Sequence, residues 1–480
     1  MTSFAQAIEP MPMYIGGEWV TTPEQHTVTL PYDGAPVGSC FLADSAIVDR
    51  AIEGARRGAA QMRKLTNCER AELLDRMIAI VRRDLADFAR LICCETGKPA
   101  KEARVEAERT LQTMIASAEV ARNLRGEVIA MDGAPIGKGR MAMTVREPLG
   151  VIGAITPFNV PFNLMMHKVG PALAVGNAVV HKPASATPLS ALRFARVVEE
   201  AGAPAGAYNV VTGSGSLIGN ALVDSPHVAM ITFTGSKEVG LGIRAKAGMK
   251  RVTLELGSNS ALVVEPDADV DAAVARSVIG SFSHSGQVCI SVQRIYVHES
   301  IAEAFTAKFV EAAGKLRIGH PFEESTDISS LISEAEARRV EAWIEDARQK
   351  GGRLLCGGRR NRATIEPTIL AEVPGIARVS CQEVFGPVVV VNRYAKLEDA
   401  IAQVNDSVYG LQAGIFTRDL ERAFRAALAF EVGGVIINDV PMFRADHMPY
   451  GGVKESGTGR EGPRYAAEEM SEMKLICWKV

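Results

Sequence analysis

Between positions 150 and 233, short apolar runs alternate with longer amphipathic ones, and this rhythm restricts the fold more than any other feature of the chain. Positions 151–155, 178–182, 208–211 and 228–233 read as strands. Positions 162–174, 189–201 and 216–223 read as helices. Strands that are apolar throughout, rather than at every second residue, are buried on both faces. Strand–helix alternation of this kind predicts a parallel sheet covered by helices on both sides. A second alternating set follows. Its strands lie near 261–264, 294–298, 387–393, 412–416 and 434–438, and its helices near 268–281, 300–316, 333–350, 397–404 and 418–429. Upstream, apolar residues three and four apart predict helices over 46–63, 68–96 and 101–124. Positions 1–45 read as short strands and turns, 126–139 as turn-rich, and 141–145 as a strand. The fold class is α/β, and 480 residues leave room for two or three domains.

Composition removes several function classes. A net charge of -3 offers no general attraction for nucleic acid or acidic membranes. No apolar run approaches the ~20 residues a membrane helix needs. Met1 to Pro10 lacks the basic and apolar regions of a secretory signal. The eight cysteines show no CxxC pair, and only Cys93 and Cys94 are adjacent. Reduced thiols in a cytoplasmic protein are the simplest expectation. The eight histidines form no HExxH, so no catalytic metal is expected.

The chemistry gathers around one cysteine. Small and polar residues lead from Ser281 through His284-Ser285-Gly286-Gln287 to Cys289. A lone cysteine more often packs as a small hydrophobe than acts as a nucleophile. Here an acid, Glu255, lies 34 positions upstream in Leu254-Glu255-Leu256-Gly257, and an amide, Asn159, follows Thr156-Pro157-Phe158. Nucleophile, base and oxyanion donor are the parts that acyl chemistry on a carbonyl requires. Taken singly, Asn159 reads as a turn or cap residue and Glu255 as a surface charge on a strand. Their apolar neighbours weaken both readings.

That trio in that order resembles the aldehyde dehydrogenase superfamily. The resemblance runs from Tyr14-Ile15-Gly16-Gly17-Glu18-Trp19 to Gly459-Arg460-Glu461, nearly the whole chain. It implies a Rossmann-like cofactor domain at 1–128 and 148–256, a catalytic domain at 257–445, and a small β oligomerisation arm from 129–147 and 459–480. It implies oxidation of an aldehyde through a thioester on Cys289, which Glu255 hydrolyses by activating water. Asn159 and the Cys289 N–H would hold the oxyanion. Relatives that pass the acyl group to coenzyme A generally lack the glutamate. The arm implies a homodimer or homotetramer.

No strand of the 150–233 set is followed by GxGxxG; Gly213-Ser214-Gly215 reads as a turn opening a helix. Thr232-Phe233-Thr234-Gly235-Ser236 ends an apolar strand and opens a helix, whose free N–H groups suit a pyrophosphate. The resemblance assigns Gly235 and Ser236 to the pyrophosphate, Lys182 to the adenosine ribose and Glu383 to the nicotinamide ribose. It sets Thr156, Pro157, Gly257 and Phe385 along the same cofactor. NAD-preferring members usually carry Glu where this chain has Ser185. A serine accepts the ribose 2′-hydroxyl without repelling a 2′-phosphate. NAD is therefore expected, with NADP accepted.

The resemblance also sets Arg109, His167 and Arg444 on the substrate tunnel. Two converging arginines suit an anionic group. Arg109 reads equally well as a solvent-facing residue of an Arg/Glu-rich helix. The runs around Cys289 and 446–457 look like the lactaldehyde and phosphonoacetaldehyde dehydrogenase-like branch. Phosphonoacetaldehyde is the sharpest expectation, with lactaldehyde, succinate semialdehyde, glyceraldehyde 3-phosphate or a broad range of aldehydes as alternatives. A thiol esterase would instead need a histidine base, and His284 is the one close by in sequence. A non-catalytic protein on this fold would be expected to have lost the nucleophile or the base.

Overall fold

The computed structural model describes residues 9–480; the reading of the first ten residues therefore falls, apart from Glu9 and Pro10, outside the described residues. Two large sheets dominate. The first has eight strands in the order Glu18–Val20, Met13–Ile15, Tyr208–Val210, Ala178–Lys182, Val151–Ile155, Val228–Thr234, Arg251–Glu255 and Gly457–Thr458. Its five central strands run parallel, and the edges are antiparallel. The second has seven strands, in the order Arg353–Cys356, Thr368–Ala371, Val388–Tyr394, Arg294–His298, Ala261–Val264, Gln412–Phe416 and Gly434–Ile437. All its pairings but the first are parallel.

The central strands are buried along nearly their whole length, as their unbroken apolar character predicts. Phe88 from the helix Leu85–Thr96 stacks on Phe162 from the helix Pro161–Ala174, with ring centroids 4.2 Å apart, and pins the upstream helices to the first sheet.

The single helix predicted over 68–96 is two. Asn67–Arg83 and Leu85–Thr96 meet at Asp84, whose ψ of 17° leaves the helical range. The Asp84 carboxylate is held by Arg83 and by Arg193 from a neighbouring helix. Arg193 reaches Asp84 from another helix, a contact that the apolar period, passing through unchanged, does not signal.

The order of the first sheet fixes where a ligand can sit. From Val151–Ile155 the chain moves outward to Ala178–Lys182 on one side, and later to Val228–Thr234 on the other. At such a reversal the following loops part and leave a crevice beyond the carboxyl ends of the strands. Those ends carry Thr156, Lys182, Thr234 and Glu255, brought level by the registers Ile155 to Lys182, Phe233 to Ile155 and Thr234 to Glu255.

A third, three-stranded sheet pairs Ser471–Lys479 with Arg140–Pro148 and then Val128–Ile129. It stands apart from both cores, and after Ser471 its terminal strand is exposed throughout.

Candidate active site

The chain reaches Cys289 through a forced turn. After the helix Val270–Phe282, His284, Ser285 and Gly286 all have positive φ, at 48°, 54° and 71°. For the two non-glycines this costs about 1–2 kcal/mol each. Surrounding bonds hold the turn in place. The Glu102 carboxylate accepts the His284 N–H at 2.7 Å, and the Ser285 hydroxyl donates to the Ser329 carbonyl at 3.0 Å. Gln287 accepts the Ile332 N–H at 2.8 Å. Glycine is required at 286, because a Cβ there would lie 2.1 Å from the Gly386 carbonyl oxygen. This close approach brings the segment 383–387 against the nucleophile loop.

Asn159 and Glu255 meet Cys289 at the wall of one cavity. The Asn159 Nδ2 donates to the Gln287 carbonyl at 2.7 Å, tying the amide to the loop that carries the thiol. Glu255 is buried, and neither carboxylate oxygen has a partner among the described residues. Burial pushes its carboxyl well above the usual range, and the charge of Glu461 pushes it further. Burial also opposes ionisation of Glu461, but Lys168 and Arg444 outweigh it and hold that carboxyl at about 2. The Lys168 ammonium donates to Glu461 at 2.8 Å and to the Thr232 hydroxyl at 3.2 Å. Lys168 and Arg444 thus keep Glu461 ionised, and its charge is one of the causes that raise the Glu255 carboxyl. Burial likewise lifts the Cys289 thiol to about 12. The one side-chain hydrogen-bond partner of the sulfur among the described residues is the Tyr450 hydroxyl, at 2.9 Å.

The same cavity, about 1010 Å³, runs from Cys289 along the switch point to the helices Gly215–Asp224 and Lys237–Lys246. That volume takes a dinucleotide-sized ligand rather than a small metabolite alone. Thr156, Pro157, Lys182, Ser185, Gly235, Ser236, Gly257, Glu383 and Phe385 all line it. Two helix N-termini open onto it. Ser236 caps Lys237–Lys246, while Gly215 and Ser216 begin the other helix, so the turn at 213–215 belongs to the cavity as well as to the helix. Burial lowers the Lys182 ammonium to about 8 and raises the Glu383 carboxyl to about 7. The Ser258 N–H donates to Glu383 at 3.0 Å, and a Cβ at Gly257 would strike that carboxylate at 2.5 Å. Phe385, at φ 50°, sets its ring edge-on to Phe158, centroids 5.7 Å apart. The buried Thr234 hydroxyl has no partner among the described residues. Cations and free N–H groups at one end, with a carboxylate near the thiol at the other, fit a pyrophosphate-linked dinucleotide with its ring toward Cys289.

Arg109, His167 and Arg444 line none of this cavity and gather instead around Asp446 and Glu461. Arg109 grips the Asp446 carboxylate through Nε at 3.1 Å and Nη2 at 2.9 Å, with its side chain 37% exposed. His167 is fully buried, and its Nε2 lies 3.1 Å from Asp446. Burial holds its imidazole down at about 4, which leaves it neutral at pH 7. Burial pushes the Asp446 carboxyl up, but His167 and Arg109 outweigh it and keep it well below the usual range. Asn163 is a third partner, donating to Asp446 from Nδ2 at 3.0 Å. Arg444 donates to Glu461 at 3.0 Å and lies over the Tyr450 ring at 3.7 Å, which brings it next to Cys289. Its Nε is buried and has no partner among the described residues. Asp446, Tyr450, Glu461 and Lys168 carry no sequence signal for this grouping. Only the fold brings 163–168 to 444–461.

Residues 19–476 match the aldehyde dehydrogenase family. The chain is 47% identical over 476 residues to the 3-sulfolactaldehyde dehydrogenase of Priestia megaterium, covering 99% of both proteins. Among solved structures, it matches aldehyde dehydrogenase 21 of Physcomitrella patens in complex with the reaction product succinate. That match has a TM-score of 0.97 and 37% identity over 99% of each chain. It also matches the glyceraldehyde-3-phosphate dehydrogenase GapN of Methanocaldococcus jannaschii complexed with NADP, with a TM-score of 0.92 and 40% identity. That match covers 96% of this chain and 100% of the other. The chain belongs to the aldehyde dehydrogenase family. It is an oxidoreductase that works with a nicotinamide dinucleotide. Among the described residues, no helix is long and apolar enough to cross a membrane, and no cluster of three or more His, Cys, Asp or Glu could hold a metal.

Proposed function

We propose that this enzyme oxidises a short aldehyde with one negative charge at its far end to the corresponding acid, releasing it by hydrolysis. The supporting observation is the buried, partnerless Nε of Arg444 beside Cys289. A buried donor left unmade costs about 1–3 kcal/mol, so a ligand acceptor there is favoured. The surrounding charge sets the preferred anion. Arg109, Lys168 and Arg444 face two ionised carboxylates, Asp446 and Glu461, leaving one net positive charge. That balance suits a sulfonate or carboxylate better than a phosphonate dianion. It moves the expectation from phosphonoacetaldehyde toward a 3-sulfolactaldehyde-like substrate, in keeping with the sulfonated substrate named for the Priestia relative.

In this reading the Cys289 thiolate attacks the aldehyde carbon. Asn159 Nδ2 and the Cys289 N–H receive the developing oxyanion. A nicotinamide bound in the cavity supplies the two-electron acceptor. Cys289 is then left as a thioester, and Glu255 takes a proton from the water that attacks it. The acid departs and the thiol is restored. Lys182, Ser185, Gly235 and Ser236 hold the adenosine and pyrophosphate end, Glu383 the nicotinamide ribose, and Thr156, Pro157, Gly257 and Phe385 the walls between. No carboxylate stands at Ser185, so NAD is used and NADP is accepted.

The test is turnover with NAD and with NADP, without coenzyme A. The panel holds 3-sulfolactaldehyde, succinate semialdehyde, phosphonoacetaldehyde, glyceraldehyde 3-phosphate, lactaldehyde and a neutral alkyl aldehyde. A monoanionic member has the highest kcat/KM. Arg444→Met lowers kcat/KM for that member about 10- to 100-fold more than for the neutral one. Equal losses on both would remove the anion site.

The three-stranded arm fits a homo-oligomer. Met473, Leu475, Ile476 and Trp478 are exposed on a strand with one free edge, an arrangement that seeks a partner. Ending the chain after Met470 is expected to yield monomers in sedimentation velocity. An unchanged assembly would assign the arm to its own chain.

A further inference from the structure

The buried Cys289 thiol poses a problem for the proposed chemistry. Burial disfavours the thiolate, and of the ionisable groups around the sulfur two oppose its charge, Glu255 and Glu383, while Arg444 and Tyr450 favour it. Tyr450 makes the sole side-chain hydrogen bond to the sulfur among the described residues, at 2.9 Å. Its ring is 2% exposed and packs with Ile290 and Leu411, so the hydroxyl cannot turn to solvent without moving the ring. The Arg444 guanidinium lies 3.7 Å above the ring centroid. A cation on that face draws electron density from the ring and makes the hydroxyl a stronger donor. Glu255 acts on Tyr450 as well, opposing ionisation of the phenol.

We infer that Tyr450 is a positioning residue whose hydroxyl donates to the Cys289 sulfur, fixing the side chain in one orientation and stabilising the thiolate. A thiolate has no hydrogen to give, so in the ionised state the phenol must be the donor. When the sulfur bonds to the aldehyde carbon its charge passes to the carbonyl oxygen, and the phenol contact weakens as the Asn159 contact forms. Arg444 sits over the donor ring and carries the free Nε. The same guanidinium thus meets the substrate anion and the group that activates the nucleophile. The inference rests on Cys289 as nucleophile. It is tested without substrate, so its failure is separable from failure of the dehydrogenase mechanism, which loss of turnover in Cys289→Ser addresses.

The experiment is the pH dependence of iodoacetamide alkylation of the full-length enzyme, read at the Cys289 peptide by mass spectrometry. Hydrogen bonds to charged groups predict that Tyr450→Phe raises the midpoint by about one to two pH units. Because a more basic thiolate is also the better nucleophile, the rate at neutral pH falls only about three- to tenfold. Replacing Tyr450 with 3-fluorotyrosine keeps the ring size and makes the hydroxyl more acidic, so the midpoint moves down. A structural role for the ring moves neither midpoint. A midpoint unchanged in either variant overturns the inference. Shifts up in the first and down in the second establish it.

Discussion

Glu255→Gln is expected to release one equivalent of reduced cofactor per site in a burst and then nearly stop. The amide fills the same space but cannot take a proton from water. Loss of a general base costs about 10²- to 10⁴-fold, and here the loss falls on thioester hydrolysis alone. The acylated Cys289 peptide, heavier by the substrate acyl group, should accumulate and be visible by mass spectrometry. The fit is close: a Cβ at Gly451 would come within 2.8 Å of Glu255 Oε1, so bulkier replacements would disturb the loop. The pH dependence follows from the raised carboxyl. Burial, then the charge of Glu461, keep Glu255 protonated at pH values where an exposed glutamate is ionised. Deacylation in the natural enzyme should climb as pH rises through that elevated value, and in Glu255→Gln it should be flat. A variant that loses the burst as well would put Glu255 before acylation and defeat the hydrolytic role.

Much of this arrangement was legible in the sequence. Val151–Ile155 and Ala178–Lys182 could be read because a parallel strand covered on both faces must be apolar at every position. The residues that the resemblance assigns to the cofactor, from Thr156 to Phe385, lie along one cavity. Cys289, Glu255 and Asn159 stood out because reactive side chains were set in small or apolar surroundings. What stayed hidden depends on long-range contact. Tyr450 lies 161 positions from Cys289, and nothing in its own loop signals a bond to sulfur. Arg109 was balanced between tunnel and solvent. The fold gives it a third state, half exposed and clasped by Asp446, since a buried carboxylate 337 positions away needs a cation. The Lys168 ammonium is fully buried and paired with Glu461, 293 positions away, a contact that only the fold supplies.

Asn159→Ala is expected to lower kcat about 10²- to 10³-fold, the usual cost of one oxyanion donor, with little change in KM. The interaction with the carbonyl oxygen strengthens only as negative charge develops, so its loss appears in the rate of acylation rather than in binding. The orientation of the amide follows from one contact. A carbonyl can only accept, so the 2.7 Å bond to Gln287 fixes Nδ2 toward the nucleophile loop and leaves its second N–H for the substrate oxygen. Removing the side chain also frees the Gln287 carbonyl, and this second effect must be told apart from the first. The alkylation rate of Cys289 does so, because iodoacetamide displacement develops no oxyanion. A large fall in acylation with alkylation unchanged assigns Asn159 to the oxyanion. Parallel falls in both would mean that Asn159 acts by holding the loop, and the oxyanion would then rest on the Cys289 N–H alone. Asn159→Asp sharpens the contrast: a carboxylate at this position keeps the size of the side chain but repels the developing charge, so acylation should fall further than in Asn159→Ala.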